Sequence, residues 1–218
     1  MTEEEWLACA EPEPMLEFVK AAATDRKLRL FGVACCRRIW SLMPNRKCKA
    51  AVDRAESYAE GCCASHPLQE ASENVSVGML ALRSEAAEYA ATAAAWVASR
   101  DNLERTAEAA AASHGVAISL DDWTAEKRLE QVQQAIIFRD IFGNPFRPVM
   151  FNVTWRTSDA LLLAQGIYEE RAFDRLPILA DALQDAGCAS EDLLGHLRDP
   201  HATHARGCWA LDLVLGKE

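Results

Sequence analysis

The feature that most limits what this chain can fold into is a stripe of side chains spaced alternately four and three residues apart. It runs through Val75, Met79, Leu82, Ala86, Tyr89, Ala93, Trp96, Arg100 and Leu103, and only Arg100 breaks its apolar character. A 3.5-residue repeat keeps one helix face turned towards a partner, so the spacing predicts a helix packed along a neighbour at a shallow angle. Fourteen alanines between Ala81 and Ala112 let two backbones approach closely along that seam. The seam is either an internal hairpin or a contact between subunits, and the hairpin is the simpler choice.

Helical spacing continues on both sides. Thr2 with Glu5 reads as a capping box, and Pro12 opens a segment carrying Met15, Leu16, Phe18 and Val19. Thr24 or Asp25 caps a longer helix with Leu28, Leu30, Phe31, Val33, Ala34, Ile39 and Trp40, which Pro44 stops. Asn45 starts the next, running to Gly61; Cys62 to Pro67 reads as a turn, and His114-Gly115 as a helix stop. Asp121, Asp122 and Thr124 offer caps for a helix through Leu129, Val132, Ile136, Ile137 and Ile141, ending at Gly143-Asn144-Pro145. Further helices are predicted from Thr157 or Ser158 to Arg171, Asp174 to Ala186, Ser190 to Arg198, and Thr203 to Gly216. Val149 to Val153 has strand character but no evident partner, and is read as coil.

The prediction is an all-α bundle of about eight to ten helices in a single domain, 1–218, with a long Ala-rich central helix or hairpin. Its subregions are basic N-terminal helices (1–66), Ala-rich helices (67–115) and a C-terminal bundle (116–218).

Charge is unevenly spread. The net charge is −10, yet residues 26–54 carry nine basic side chains against one acid, Asp53, a local balance of +8. Arg26, Arg29, Arg37, Arg38 and Lys47 are the candidate anion-binding residues, since a basic stripe neutralises phosphates. The alternative is internal pairing with acidic neighbours, and a pI near 5 disfavours nucleic acid at long range.

No apolar run approaches the roughly 18 to 20 residues of a membrane span. The acidic start, Met1 to Trp6, lacks the basic flank and apolar run of a secretory signal, so a cytoplasmic protein with reduced thiols is expected. Phosphate-loop, dinucleotide and GxSxG patterns are absent. Cys36 beside Arg37 and Arg38 has the cation a reactive thiolate needs but no nearby histidine to serve as base.

The densest set of metal-ligand side chains is near the end of the chain: Cys188, His196, His201, His204 and Cys208. His204 and Cys208 are four apart, so on one helix they share a face and can grip a zinc ion, with His201 or Cys188 completing the site. No paired CxxC accompanies them. Zinc here would be structural.

Several phrases occur together along nearly the whole length: Glu5-Trp6-Leu7, Asp25 to Phe31, Cys35-Cys36-Arg37-Arg38-Ile39-Trp40, Arg139 to Phe146, Phe173 to Pro177, and Arg206-Gly207-Cys208-Trp209. In these the chain resembles a paralogous family of planctomycete bacterial proteins with no assigned activity. The resemblance implies a bacterial cytoplasmic protein and supplies no catalytic residue, ligand or partner. The functional expectation is therefore a non-enzymatic helical interaction or scaffold module, for a protein partner or a second copy of itself. The alternative is an anion- or nucleic-acid-binding or a structural-zinc-binding regulatory protein, or an enzyme of unrecognised type.

Overall fold

The computed structural model describes residues 1–78, 82, 84–99, 103–119 and 121–217. Twelve α-helices, linked by turns and short 3-10 segments, form the regular structure, and no strand occurs among the described residues. Twelve exceeds the expected eight to ten partly because the regular stripe is divided between two helices. No helix among the described residues is long and apolar enough to cross a membrane. The chain forms two compact units, Met1–Phe138 and Arg139–Glu218.

In the N-terminal unit, α1 (Glu3–Ala8) starts with the expected capping box: the Thr2 backbone N–H donates to Glu5 at 2.8 Å, and the Glu5 N–H to the Thr2 hydroxyl at 3.2 Å. Its buried Trp6 meets Phe18, on α2 (Pro12–Val19), and Phe138, with ring centroids 6.2 and 5.8 Å away. Thr24 caps α3 (Asp25–Arg38) and Asn45 caps α4 (Arg46–Ala59), each side-chain oxygen accepting backbone N–H groups that the first turn leaves unpaired. Helix α3 stops at Arg38, short of Pro44, because Ile39 leaves helical geometry. The stretch expected as a turn already contains the start of α5 (Ser65–Gly78).

The alanine seam is an internal hairpin of α6 (Glu85–Val97) and α7 (Thr106–Ile118). Ala90, Ala91, Ala93, Ala94 and Ala109 to Ala112 are all buried in it. Small side chains supply little transfer energy each, so the pair gains from close contact and from buried polar links. The Ser113 hydroxyl donates to the Ala86 carbonyl at 2.8 Å, and Gln134 Nε2 to the Ala107 carbonyl at 3.0 Å. Val75 belongs to α5, while Met79 and Arg100 lie outside the described residues. Gly115 does not stop α7: a Cβ there would collide with the Trp123 carbonyl oxygen, so this glycine permits close approach. Helix α8 (Trp123–Phe142) follows.

The C-terminal unit takes the last turn of α8 and adds α9 (Ser158–Glu170), α10 (Leu176–Asp185), α11 (Glu191–Arg198) and α12 (Trp209–Leu215). Ile167, Leu176, Leu179, Leu183, Leu193, Leu211 and Val214 form its fully buried core. Arg156 closes the end of α12, donating to the Val214 and Leu213 carbonyls at 2.6 and 2.9 Å. The last helix begins at Trp209, not after Thr203. Residues 199–208 are turns and irregular chain, and Gly207 near their end has a φ of 94° that no helix accommodates.

Candidate metal centre

The basic stretch is largely paired within its own unit. Arg29 is 0 % exposed; it meets the Asp25 carboxylate at 2.8 and 3.2 Å and donates to the Val97 and Ser99 carbonyls at 2.6 and 3.0 Å. Arg37 bridges Asp53 and Glu56 at 2.6 and 2.9 Å and stacks over Trp40. Arg38 grips Glu130 with two bonds of 2.6 and 2.8 Å, and Arg26 meets Glu60 at 3.3 Å. The Lys47 side chain is exposed, with no ion-pair partner among the described residues. Four of the five candidates are thus committed to acids, Arg29 to Asp25 of its own helix and Arg26, Arg37 and Arg38 to acids outside it, which is the internal-pairing alternative.

In the C-terminal unit, four side chains converge. Asp140 comes from the last turn of α8, which Gly143 (φ 70°) closes by donating its N–H to Arg139. His196 comes from the last turn of α11, a helix capped by Ser190. His204 sits in the irregular segment, and Cys208 is the N-cap of α12. Their ligand atoms all lie within 4.8 Å of one another, and this is the group of metal-ligand type found among the described residues.

His204 Nδ1 lies 2.8 Å from Asp140 Oδ1 and 3.9 Å from Cys208 Sγ. His196 Nε2 is 3.2 Å from that same oxygen and 3.2 Å from that same sulfur. An imidazole nitrogen carries either one proton or one in-plane lone pair. It cannot direct that single feature fully at an oxygen and a sulfur together, yet both histidines face both atoms. A cation at the centre meets all four donors at once. Zinc with bonds near 2.0–2.3 Å in a tetrahedron sets its ligands about 3.3–3.7 Å apart, inside the observed spread.

No protein-family model, curated protein or solved structure matches this chain. The centre therefore has to be read from its own geometry.

Surroundings fit a held ion. Ala205 donates its backbone N–H to Asp140 Oδ2 at 2.8 Å, leaving Oδ1 as the single inward oxygen. Trp209 lies 5.0 Å from the His196 ring and Phe173 6.2 Å from the His204 ring, so aromatic walls flank the donors. Burial by itself would raise the Asp140 carboxyl; hydrogen bonds and charge from His196 and His204 outweigh it and hold the group below its ordinary range. Burial, and then the Asp140 charge, push the Cys208 thiol well up. Without a cation this fully buried sulfur stays protonated and is no free nucleophile; a bound metal ion would have to displace that proton, since the thiolate is the ligand. Burial likewise raises Cys35 and Cys36 far above the usual thiol range, so the Arg37 and Arg38 charges do not make a reactive thiolate there.

Of the residues singled out by spacing, the fold brings His204 and Cys208 together, though not on one helix. Cys188 is buried in the core and His201 is exposed beside Asp199; neither belongs to the group of four. Asp140 and His196 complete it instead. Asp140 lies 64 residues before His204, beyond any local pattern. Its one sequence signal is an acid beside Ile137 and Ile141, on the inward face of α8.

Proposed function

We propose that the C-terminal unit is a zinc-stabilised helical module, with Asp140, His196, His204 and Cys208 as ligands. One observation carries this reading: two imidazole nitrogens each confront the same carboxylate oxygen and the same thiol sulfur. A mixed sulfur, nitrogen and oxygen set suits zinc, whereas calcium and magnesium want oxygen alone. Zn²⁺ with one carboxylate, one thiolate and two neutral imidazoles is also electrically neutral, which lowers the penalty of burying it. Four protein ligands fill a tetrahedron and leave no open position, so the ion's role is structural. A reducing cytosol preserves such a thiolate.

Native mass spectrometry of the chain purified without chelator tests this, with about one zinc per chain expected. Cobalt substitution should give the visible absorption of tetrahedral cobalt with a thiolate charge-transfer band. A chain that neither carries nor takes up zinc or cobalt would falsify the reading.

A second reading, an interaction module for a protein partner, is supported by apolar side chains left outside on α8 and just before it. Ile118, Trp123 and Leu129 are exposed, Leu129 by 61 %. Chemical cross-linking that leaves α8 unmodified in cell extract and in the pure chain would remove it.

A further inference from the structure

We infer that the ion is a latch on residues 199–208, so that metal occupancy sets whether this segment is closed or open while the helices around it stay folded; this rests on the zinc reading above. Two of the four ligands, His204 and Cys208, lie in the segment. So does Ala205, whose N–H holds a third ligand, Asp140. Apart from Cys208, the segment Asp199-Pro200-His201-Ala202-Thr203-His204-Ala205-Arg206-Gly207-Cys208 has no apolar side chain larger than alanine except Pro200, which is exposed. Hydrophobic burial therefore does little to hold it down. Arg206 ties the segment to α9 through bonds to the Tyr168 and Glu169 carbonyls at 3.2 and 3.3 Å and a guanidinium 5.3 Å over the Tyr168 ring, contacts of a polar side chain and not of an apolar one.

The surrounding helices do not depend on the segment in the same way. Leu176, Leu179, Leu183, Leu193 and Leu211 are 0 % exposed and pack on one another. Thr157, Ser190 and Arg156 satisfy helix ends without touching the centre. Removing the cation then takes the ties of one segment and leaves a core that closes by itself, which is local opening of a low-stability unit.

The experiment is hydrogen exchange of the full chain, zinc-loaded and after chelation, with metal content measured on the same samples. Amides of 199–208, Ala205 foremost, should exchange about tenfold faster or more after chelation, while α9, α10 and α11 keep their protection. Asp140→Asn should match the chelated chain with or without added zinc, and its helical dichroism should match that of the parent. Equal exchange at 199–208 in zinc-loaded and zinc-free samples overturns the latch and leaves the zinc site standing. Loss of protection across α9 to α12 together also overturns it, since the unit would then open as a whole. A chain that takes up no zinc removes both.

Discussion

The Arg29 guanidinium lies 2.6 Å from the carbonyl oxygen of Val97, closing the C-terminal end of α6 from inside the N-terminal unit. A residue that sequence placed on a phosphate-binding stripe is a buried helix cap with Asp25 as its counter-ion. Replacing it by Met leaves the Val97 and Ser99 carbonyls without their donor, while the exposed Asp25 carboxylate stays solvated. Arg29→Met should lower the stability of the N-terminal unit by about 3 kcal/mol or more, read from urea denaturation. A loss below roughly 1 kcal/mol would mean the cap matters little.

Arg38 and Glu130 behave as an unequal pair. Glu130 is 1 % exposed, and its hydrogen bond raises the Arg38 pKa further. Arg38→Ala strands a buried carboxylate and should cost about 3 kcal/mol, whereas Arg38→Met combined with Glu130→Met removes both charges and should recover most of the loss. The double variant being no better than the single one would contradict the stranded-charge account.

Zinc should act as a stabilising ligand. At a free concentration about a thousandfold above its dissociation constant, it should add about 4 kcal/mol to the C-terminal unit. Asp140→Asn and Cys208→Ser should each abolish that increment. Identical melting curves with zinc and with chelator would count against the site.

Thiol labelling should follow burial. Cys62 is exposed and should react first, while Cys35, Cys36 and Cys208, which burial keeps protonated and inaccessible, should lag by on the order of a hundredfold. All eight should label together in denaturant. Early modification of Cys36 would revive thiol chemistry beside Arg37.

Heparin should not retain the chain at low salt, because Arg26, Arg29, Arg37 and Arg38 are already paired with acids. Retention that vanishes in moderate salt would restore the anion-binding stripe.

Local rules explain why much of the fold was legible. Thr2, Thr24, Asn45, Thr157 and Ser190 cap the helices expected of them, because a cap needs only one oxygen and the next three backbone N–H groups. The alanine hairpin was legible as a seam, since it follows from spacing and side-chain size. Where a glycine serves a distant contact, as Gly115 does against Trp123, the local reading of a stop fails.

The amino-acid order by itself determined an all-helical chain, many of its helix caps and its alanine seam, all properties set by neighbours within a few residues. Only the tertiary structure decided which acid meets which base, and that Asp140 and His196, not Cys188 and His201, stand beside His204 and Cys208. Charges and ligands act over a few ångströms of space irrespective of separation along the chain, so their partners depend on how the helices pack.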